Sequence, residues 1–356
     1  MPAKHLLIAL ALLALSGCGP DIQTGCDTVG AVTPICGVQM PEDIEPLPDD
    51  GGLIIAEYGD DGKHTGDIVW FQPGEGAAFV PLVTGSDITQ GASDTQWGDS
   101  MCAAPDRLSP HGIHLADREG SLQLLVVNHA EADQVLMYEV LPAAEASAAP
   151  TLAWRGCVSF PEEATLNDVA ALPGGGFAVT HMYPREAELV TIAKVLLGRS
   201  RGHVYLWSPG SGISVLPNSE GLVPNGIEVA DDGQSLWVNN YSGGELRQYA
   251  VSDGAQLQTV SVPNIDNSAW LPDGRLLLAS HDSLSEILAC MDLLEGTCGA
   301  AYSLIAVDPA TGDKEVLFRS SPGELFGPAT VAVMYQGKLY AGSFSGDRIA
   351  EITLAP

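Results

Sequence analysis

The chain predicts an all-β fold, a six-bladed β-propeller with roughly four antiparallel strands per blade. Three observations carry that expectation: a recurring turn, polar side chains spaced upstream of it, and apolar runs that finish in Asn or His. The turns are Leu47-Pro-Asp-Asp-Gly51, Leu115-Ala-Asp-Arg-Glu-Gly120, Leu172-Pro-Gly-Gly-Gly-Phe177, Val229-Ala-Asp-Asp-Gly233, Leu271-Pro-Asp-Gly274 and Met334-Tyr-Gln-Gly337. One supersecondary unit repeated six times with irregular spacing is the pattern of a closed array. Upstream of the first five turns stand Glu42 with Asp43, His111, Asn167 with Asp168, Asn225, and Asp266 with Asn267. In a closed ring these distant residues face one axis.

The N-terminus reads as an export signal. Lys4 and His5 precede an apolar run from Leu6 to Leu15, followed by Leu15-Ser-Gly-Cys18. The run is too short to span a bilayer, and small residues before a Cys suit cleavage and lipidation of the new N-terminal Cys18. The expected organisation is a signal peptide over 1–17, a lipidated tether over 18–40 and the propeller over 41–356. Leu15-Ser-Gly-Cys18 resembles a bacterial lipoprotein cleavage box, and by resemblance to other lipoproteins Gly19 after the Cys leaves outer-membrane sorting open, so the expected place is a bacterial membrane, at its periplasmic face or the cell surface.

Around each turn the pattern is a hairpin, as in Gly226-Ile-Glu-Val-Ala230 followed by Ser235-Leu-Trp-Val-Asn-Asn240. The second strands end in Asn128 and His129, His181, Asn239 and Asn240, and His281. If the first strand starts at the axis, these ends return to the same mouth. Outer strands are read at Gln134–Leu141, His203–Trp207, Leu246–Val251, Leu304–Val307 and Arg348–Leu354. One segment breaks the pattern, a helical insertion near 184–200 that begins at a proline and is rich in Leu, Val and Ile. It reads equally as a buried packing helix or as a lid or membrane-facing helix over the mouth.

A formal charge of -30 with only 15 Lys and Arg in 356 residues excludes nucleic acid as a partner, because phosphate backbones are bound through basic clusters. Most of that charge reads as a solvated surface, with cation binding compatible. Apart from Cys18 there are six cysteines, an even set that in an exported chain implies disulfides. The simplest local pairs are Cys26 with Cys36 and Cys290 with Cys298. There is no phosphate-binding glycine loop and no EF-hand loop, and Trp97-Gly-Asp-Ser100 sits in a Gly, Ser and Asp loop.

Seven motifs in order carry a family resemblance: Pro41-Glu-Asp-Ile-Glu-Pro46, Pro110-His-Gly-Ile113, Leu124-Leu-Val-Val-Asn-His129, Leu166-Asn-Asp168, Pro224-Asn-Gly-Ile227, Ile265-Asp-Asn267 and Ala329–Leu339. The chain resembles the paraoxonases, within the wider gluconolactonase-like and strictosidine-synthase-like propellers. These are calcium-dependent six-bladed propellers that hydrolyse lactones and some esters. The resemblance implies two Ca2+ ions. Glu42, Asn167, Asn225, Asp266 and Asn267 match ligands of a catalytic calcium, a set of carboxylates and amides that suits a hard cation. Asp43, Asp168 and the backbone oxygen of Ile113 match those of a structural calcium. His111 matches the family's general base and His129 its relay partner, roles suited to imidazole at neutral pH. His281 has a counterpart near the family's site, and His181 is read with it as lining the mouth. The implied substrate is a small lactone or aryl ester.

Two departures stand out. The family's disulfide joins the N-terminal region to the last strand, whereas no cysteine here follows Cys298, so closure must rely on strand pairing. The animal members keep an uncleaved apolar N-terminus that helps membrane attachment, where a cleavable lipobox is read here. The segment near 184–200 also differs, which leaves substrate choice open. Two other readings remain: a non-catalytic, lipid-anchored calcium-stabilised scaffold, and a sugar lactonase using another divalent metal. The tether has its own test: Cys18→Ser should abolish incorporation of labelled palmitate and release the protein from the membrane fraction, and retention of both would remove the lipid anchor.

Overall fold

The computed structural model describes residues 22–354, apart from residues 61, 75, 94, 95, 130, 144–147 and 322. The expected signal peptide and the lipidation expected at Cys18 fall outside the described residues. Six four-stranded antiparallel sheets surround one axis. Their innermost strands are Pro41–Pro46, Pro110–Arg118, Leu166–Leu172, Pro224–Val229, Ile265–Trp270 and Val331–Tyr335, in blades one to six. Each packs against the inner strand of the next blade, and the sixth against the first. Every predicted turn links an inner strand to the second strand of its blade, and the predicted outer strands fall in third place.

The ring closes through the N-terminus. Val32–Cys36 pairs antiparallel with Arg348–Ile352, with Ile35 opposite Ile349, and becomes the outermost strand of blade six. The stretch 18–40 is therefore not tether throughout: from Val32 it belongs to the propeller, because the edge of the last blade needs a partner for its backbone groups. The segment before it is also fastened, by Gln23 bridging Thr297 and by Arg348 Nη1 donating to the Gly25 carbonyl at 2.6 Å. Disulfides join Cys26 to Cys36 and Cys290 to Cys298 as expected, and a third joins Cys102 to Cys157.

The core lies between neighbouring sheets, where strands covered on both faces carry unbroken apolar runs. Between blades two and three, Leu125, Val127, Val135 and Met137 meet Val169, Phe177, Val179 and Trp207, all buried. The expected insertion is helix α1 (Glu188–Leu196). A second helix, α2 (Leu284–Cys290), was not anticipated, although Ser283-Leu-Ser-Glu286 is a capping-box sequence and the Ser283 hydroxyl accepts from the Glu286 amide.

The first five inner strands share a defect. Each carries one extra residue against its partner strand at its axial start, between Pro41 and Asp43, Pro110 and Ile113, Leu166 and Val169, Pro224 and Ile227, and Ile265 and Ser268. The inner strand of blade six stays in register, from Val331 opposite Gly342 to Tyr335 opposite Lys338. A bulge bends its strand and re-aims the side chains within it.

Deleting residues 22–36 should leave the Arg348–Ile352 edge unpaired. Size-exclusion chromatography and a thermal melt should then show aggregation and no cooperative transition, whereas a wild-type melt would contradict closure by this strand.

Candidate active site

The five bulges enclose every acidic, amide and imidazole residue singled out upstream of the turns, save Asp43, which closes the first. Glu42, His111, Asn167, Asn225 and Asp266 line one cavity at the mouth of the axis. Asn267 joins them through its amide nitrogen, which donates to Glu42 Oε1 at 3.1 Å. In a regular strand, neighbours point to opposite faces. The bulges let Asn167 and Asp168 both turn toward the axis, with Asp168 one step deeper.

A bulge also leaves carbonyls outside the ladder, and buried carbonyls need donors. Here the donors come from the preceding blade. Thr180 Oγ1 donates to the Asn225 carbonyl at 2.6 Å, Asn239 Nδ2 to that of Asp266 at 2.6 Å, and Thr330 Oγ1 to that of Glu42 at 2.6 Å. Gly112 and Gly226 are needed for the same closeness: a Cβ at Gly112 would stand 2.5 Å from Asp168 Oδ1, and one at Gly226 would stand 2.7 Å from the Asn267 Cα.

The three amides are oriented alike. Asn167 Nδ2 faces His111 Nε2 at 3.2 Å, Asn267 Nδ2 faces Glu42, and Asn225 bonds the Asp266 carboxylate. Their oxygens are buried and accept no hydrogen bond among the described residues. Buried polar atoms ordinarily find partners, so three orphaned oxygens beside two carboxylates are costly unless a cation meets them. Burial, then the neighbouring charge of Glu42, pushes the Asp266 carboxyl well above its usual range. The residues present therefore fit a hard, oxygen-loving cation such as calcium.

Deeper along the axis, Asp43 Oδ2 accepts from the Ile113 amide at 2.7 Å and Asp168 Oδ2 from the Ile227 amide at 2.8 Å. Thus Ile113 meets Asp43 through its N–H. Burial raises Asp43 to about 7, with the Ile113 amide opposing and Glu42 adding; burial and then Asp43 push Asp168 well up. The same lower cavity is lined by Glu45, His114 and Glu228, which the sequence reading did not single out.

His111 and His129 form a pair, with His111 Nδ1 to His129 Nε2 at 2.7 Å. Both are buried, and Tyr58 lies against the His111 ring at a centroid distance of 4.6 Å. His129 Nδ1 in turn meets Asp133 Oδ2 at 3.1 Å. Sequence reasoning missed Asp133, although its spacing from His129 across the start of the next strand was visible.

His281 and His181 do not line the cavity as expected; they stand behind its wall. His281 places Nε2 against the Ala329 carbonyl at 2.8 Å and Nδ1 against the Tyr241 hydroxyl at 3.0 Å, so both nitrogens are occupied. His181 Nδ1 accepts from the Thr165 amide at 3.2 Å, and its ring packs on His203 at 4.8 Å. Burial lowers both to about 4, the Ala329 carbonyl opposing this at His281 and His203 adding to it at His181. Their neighbours Tyr241 and Met182 face the cavity instead. The remaining wall is mostly apolar and includes Ile192, Val195 and Leu196 of α1 and Leu284, Ile287 and Leu288 of α2, with Asp60, Thr191 and Asp292 as polar members.

Architecture and site together place the chain among six-bladed propellers whose polar residues converge at one tunnel mouth. Solved structures of that architecture superpose over almost the whole chain. A gluconolactonase from Xanthomonas campestris is 15% identical over 95% of this chain and 96% of its own, with a TM-score of 0.54. A luciferin-regenerating enzyme is 12% identical over 94% and 95%, with a TM-score of 0.52. Regucalcin, a calcium-binding protein from Agrobacterium tumefaciens, is 11% identical over 94% of both chains, with a TM-score of 0.51. At such identities the likeness concerns the fold. No curated protein sequence matches the chain. The arylesterase family model matches residues 95–346, and the chain belongs to the arylesterase family. That membership supports a hydrolase of the lactone and ester class; Glu42 and Asp43 precede the matched span.

Tyr241→Phe leaves the buried His281 Nδ1 without its hydroxyl donor and should cost about 1–3 kcal/mol, the penalty of one unsatisfied buried polar group. Chemical denaturation measures it as a lower midpoint at unchanged slope.

Proposed function

We propose that the protein is a calcium-dependent lactonase that also accepts aryl esters. The observation that carries this reading is the convergence of three amide oxygens, unpartnered among the described residues, and two carboxylates beside the His111–His129 pair. Glu42, Asn167, Asn225, Asp266 and Asn267 would hold the catalytic calcium, and Asp43, Asp168 and the Ile113 carbonyl a structural one. The catalytic ion, when bound, supplies Lewis acidity that polarises the substrate carbonyl.

The chain's own residues do the rest. His111 turns Nε2 to the cavity, 3.5 Å from Glu42 Oε1, where it can take a proton from an attacking water once that water displaces the Asn167 amide that donates to it. His129 accepts a hydrogen bond from the other His111 nitrogen and so holds the ring in place. As the water oxygen bonds to the carbonyl carbon, the ring C–O bond breaks, and the departing oxygen takes the proton back from His111. The product is an open hydroxy acid. Tyr58 holds the His111 ring, and the apolar wall from α1 and α2 seats an aliphatic or aryl substituent while excluding bulk water.

Hydrolysis of a panel of aliphatic lactones, sugar lactones and phenyl esters, with and without a chelator, tests the proposal. Aliphatic lactone turnover should vanish with chelator and return with calcium. Asn225→Ala and His111→Gln should each lower kcat by about 100-fold or more. Absent turnover across the panel would favour the scaffold, and turnover confined to sugar lactones with another divalent metal would favour the sugar-lactonase reading.

A further inference from the structure

We infer that Asp133, clamped by Arg185, is a positioning residue that sets the direction of the hydrogens along the His129–His111 pair and thereby the orientation of the Asn167 amide. Asp133 is wholly buried. Its Oδ2 takes the Leu166 amide at 2.9 Å and His129 Nδ1 at 3.1 Å, while its Oδ1 pairs with Arg185 Nη2. Burial pushes this carboxyl up, but His129, the Leu166 amide and Arg185 outweigh burial and hold it below its usual range.

A carboxylate only accepts, and a neutral imidazole has one donor and one acceptor nitrogen. Each link then dictates the next. His129 carries its hydrogen on Nδ1, so its Nε2 must accept. His111 therefore donates from Nδ1, at 2.7 Å, and its Nε2 is left as an acceptor. That acceptor takes Asn167 Nδ2 at 3.2 Å, which turns Asn167 Oδ1 away, to where it has no hydrogen-bond partner among the described residues. One anion thus leaves His111 Nε2 unprotonated, its lone pair held by the Asn167 amide until a water displaces it, and an amide oxygen for a cation.

The clamp comes from the segment leading into α1. Arg185 also donates from Nη1 to the Glu131 carbonyl at 2.9 Å, and its own amide donates to the Glu163 carbonyl at 2.7 Å. The residues that start the helix walling the cavity are therefore latched to the acid behind the histidine pair. The catalytic consequence rests on the proposed function; the hydrogen arrangement does not.

Nitrogen-15 spectra of histidine-labelled protein decide the arrangement. Wild type should show His129 and His111 as Nδ1–H tautomers. Asp133→Leu, which removes the acceptor, should release His129 into a tautomer mixture and lower lactone kcat on the order of 100-fold with KM nearly unchanged; Asp133→Asn, whose amide oxygen can still accept, should lose about tenfold and keep the tautomer. A His129 that stays Nδ1–H in Asp133→Leu, or a kcat that does not move, overturns the inference. Should Asp133→Leu fail to fold, the half-exposed Arg185 decides: Arg185→Gln should lose about tenfold in kcat and Arg185→Lys regain most of it, and no loss overturns the clamp. Absent lactone turnover in wild type with the tautomers as stated removes the proposed function alone.

Discussion

The structure depends on a one-residue bulge at the axial start of five inner strands. Regular strands around a tunnel would send alternate side chains inward and neighbours outward. With one extra residue, each strand bends, and two successive side chains can serve the axis at different depths. Blade six has no bulge and supplies no candidate ligand side chain, only the Thr330 hydroxyl and the Ala329 carbonyl at its approach. The bulges persist because the carbonyls they free are met by Thr180, Asn239 and Thr330 of preceding blades. Neighbouring blades therefore hold the site in shape.

The second organising feature is a division of labour within the amides. Asn167, Asn225 and Asn267 each commit their nitrogen to a neighbour, so their oxygens are what remain. Asp266 and Asp43 are raised by burial first and also by the neighbouring charge of Glu42, as expected of acidic groups gathered in a medium of low dielectric. The histidine pair is tied into the same network through Asn167, so the base and the polar cradle are parts of one lattice of hydrogen bonds.

Much of this was legible along the chain. The turns, the inner-strand starts, the apolar second and third strands and two local disulfides follow from periodicity, turn chemistry and spacing, which are short-range. The insertion near 184–200 is helical for the same reason. What was misread is long-range. Residues 32–36 looked like tether because nothing nearby marks a strand whose partner lies more than 300 positions away. Asp133 was overlooked because its role comes from His129 on one side and Arg185 on the other. His281 and His181 were expected at the cavity because they end apolar strands, but Met182, one residue past His181, and Tyr241, the hydrogen-bond partner of His281 from the neighbouring blade, face it instead.

The amino-acid sequence alone determined the repeat, the strand and turn types and which residue kinds could meet on an axis, since those are set by local backbone preference and alternation of side chains. Only the tertiary structure decided which of them share the mouth, which way each amide turns and which histidines are already occupied. Those outcomes depend on register across blades and on hydrogen bonds between residues far apart in the chain, and a bulge of a single residue is enough to reverse them.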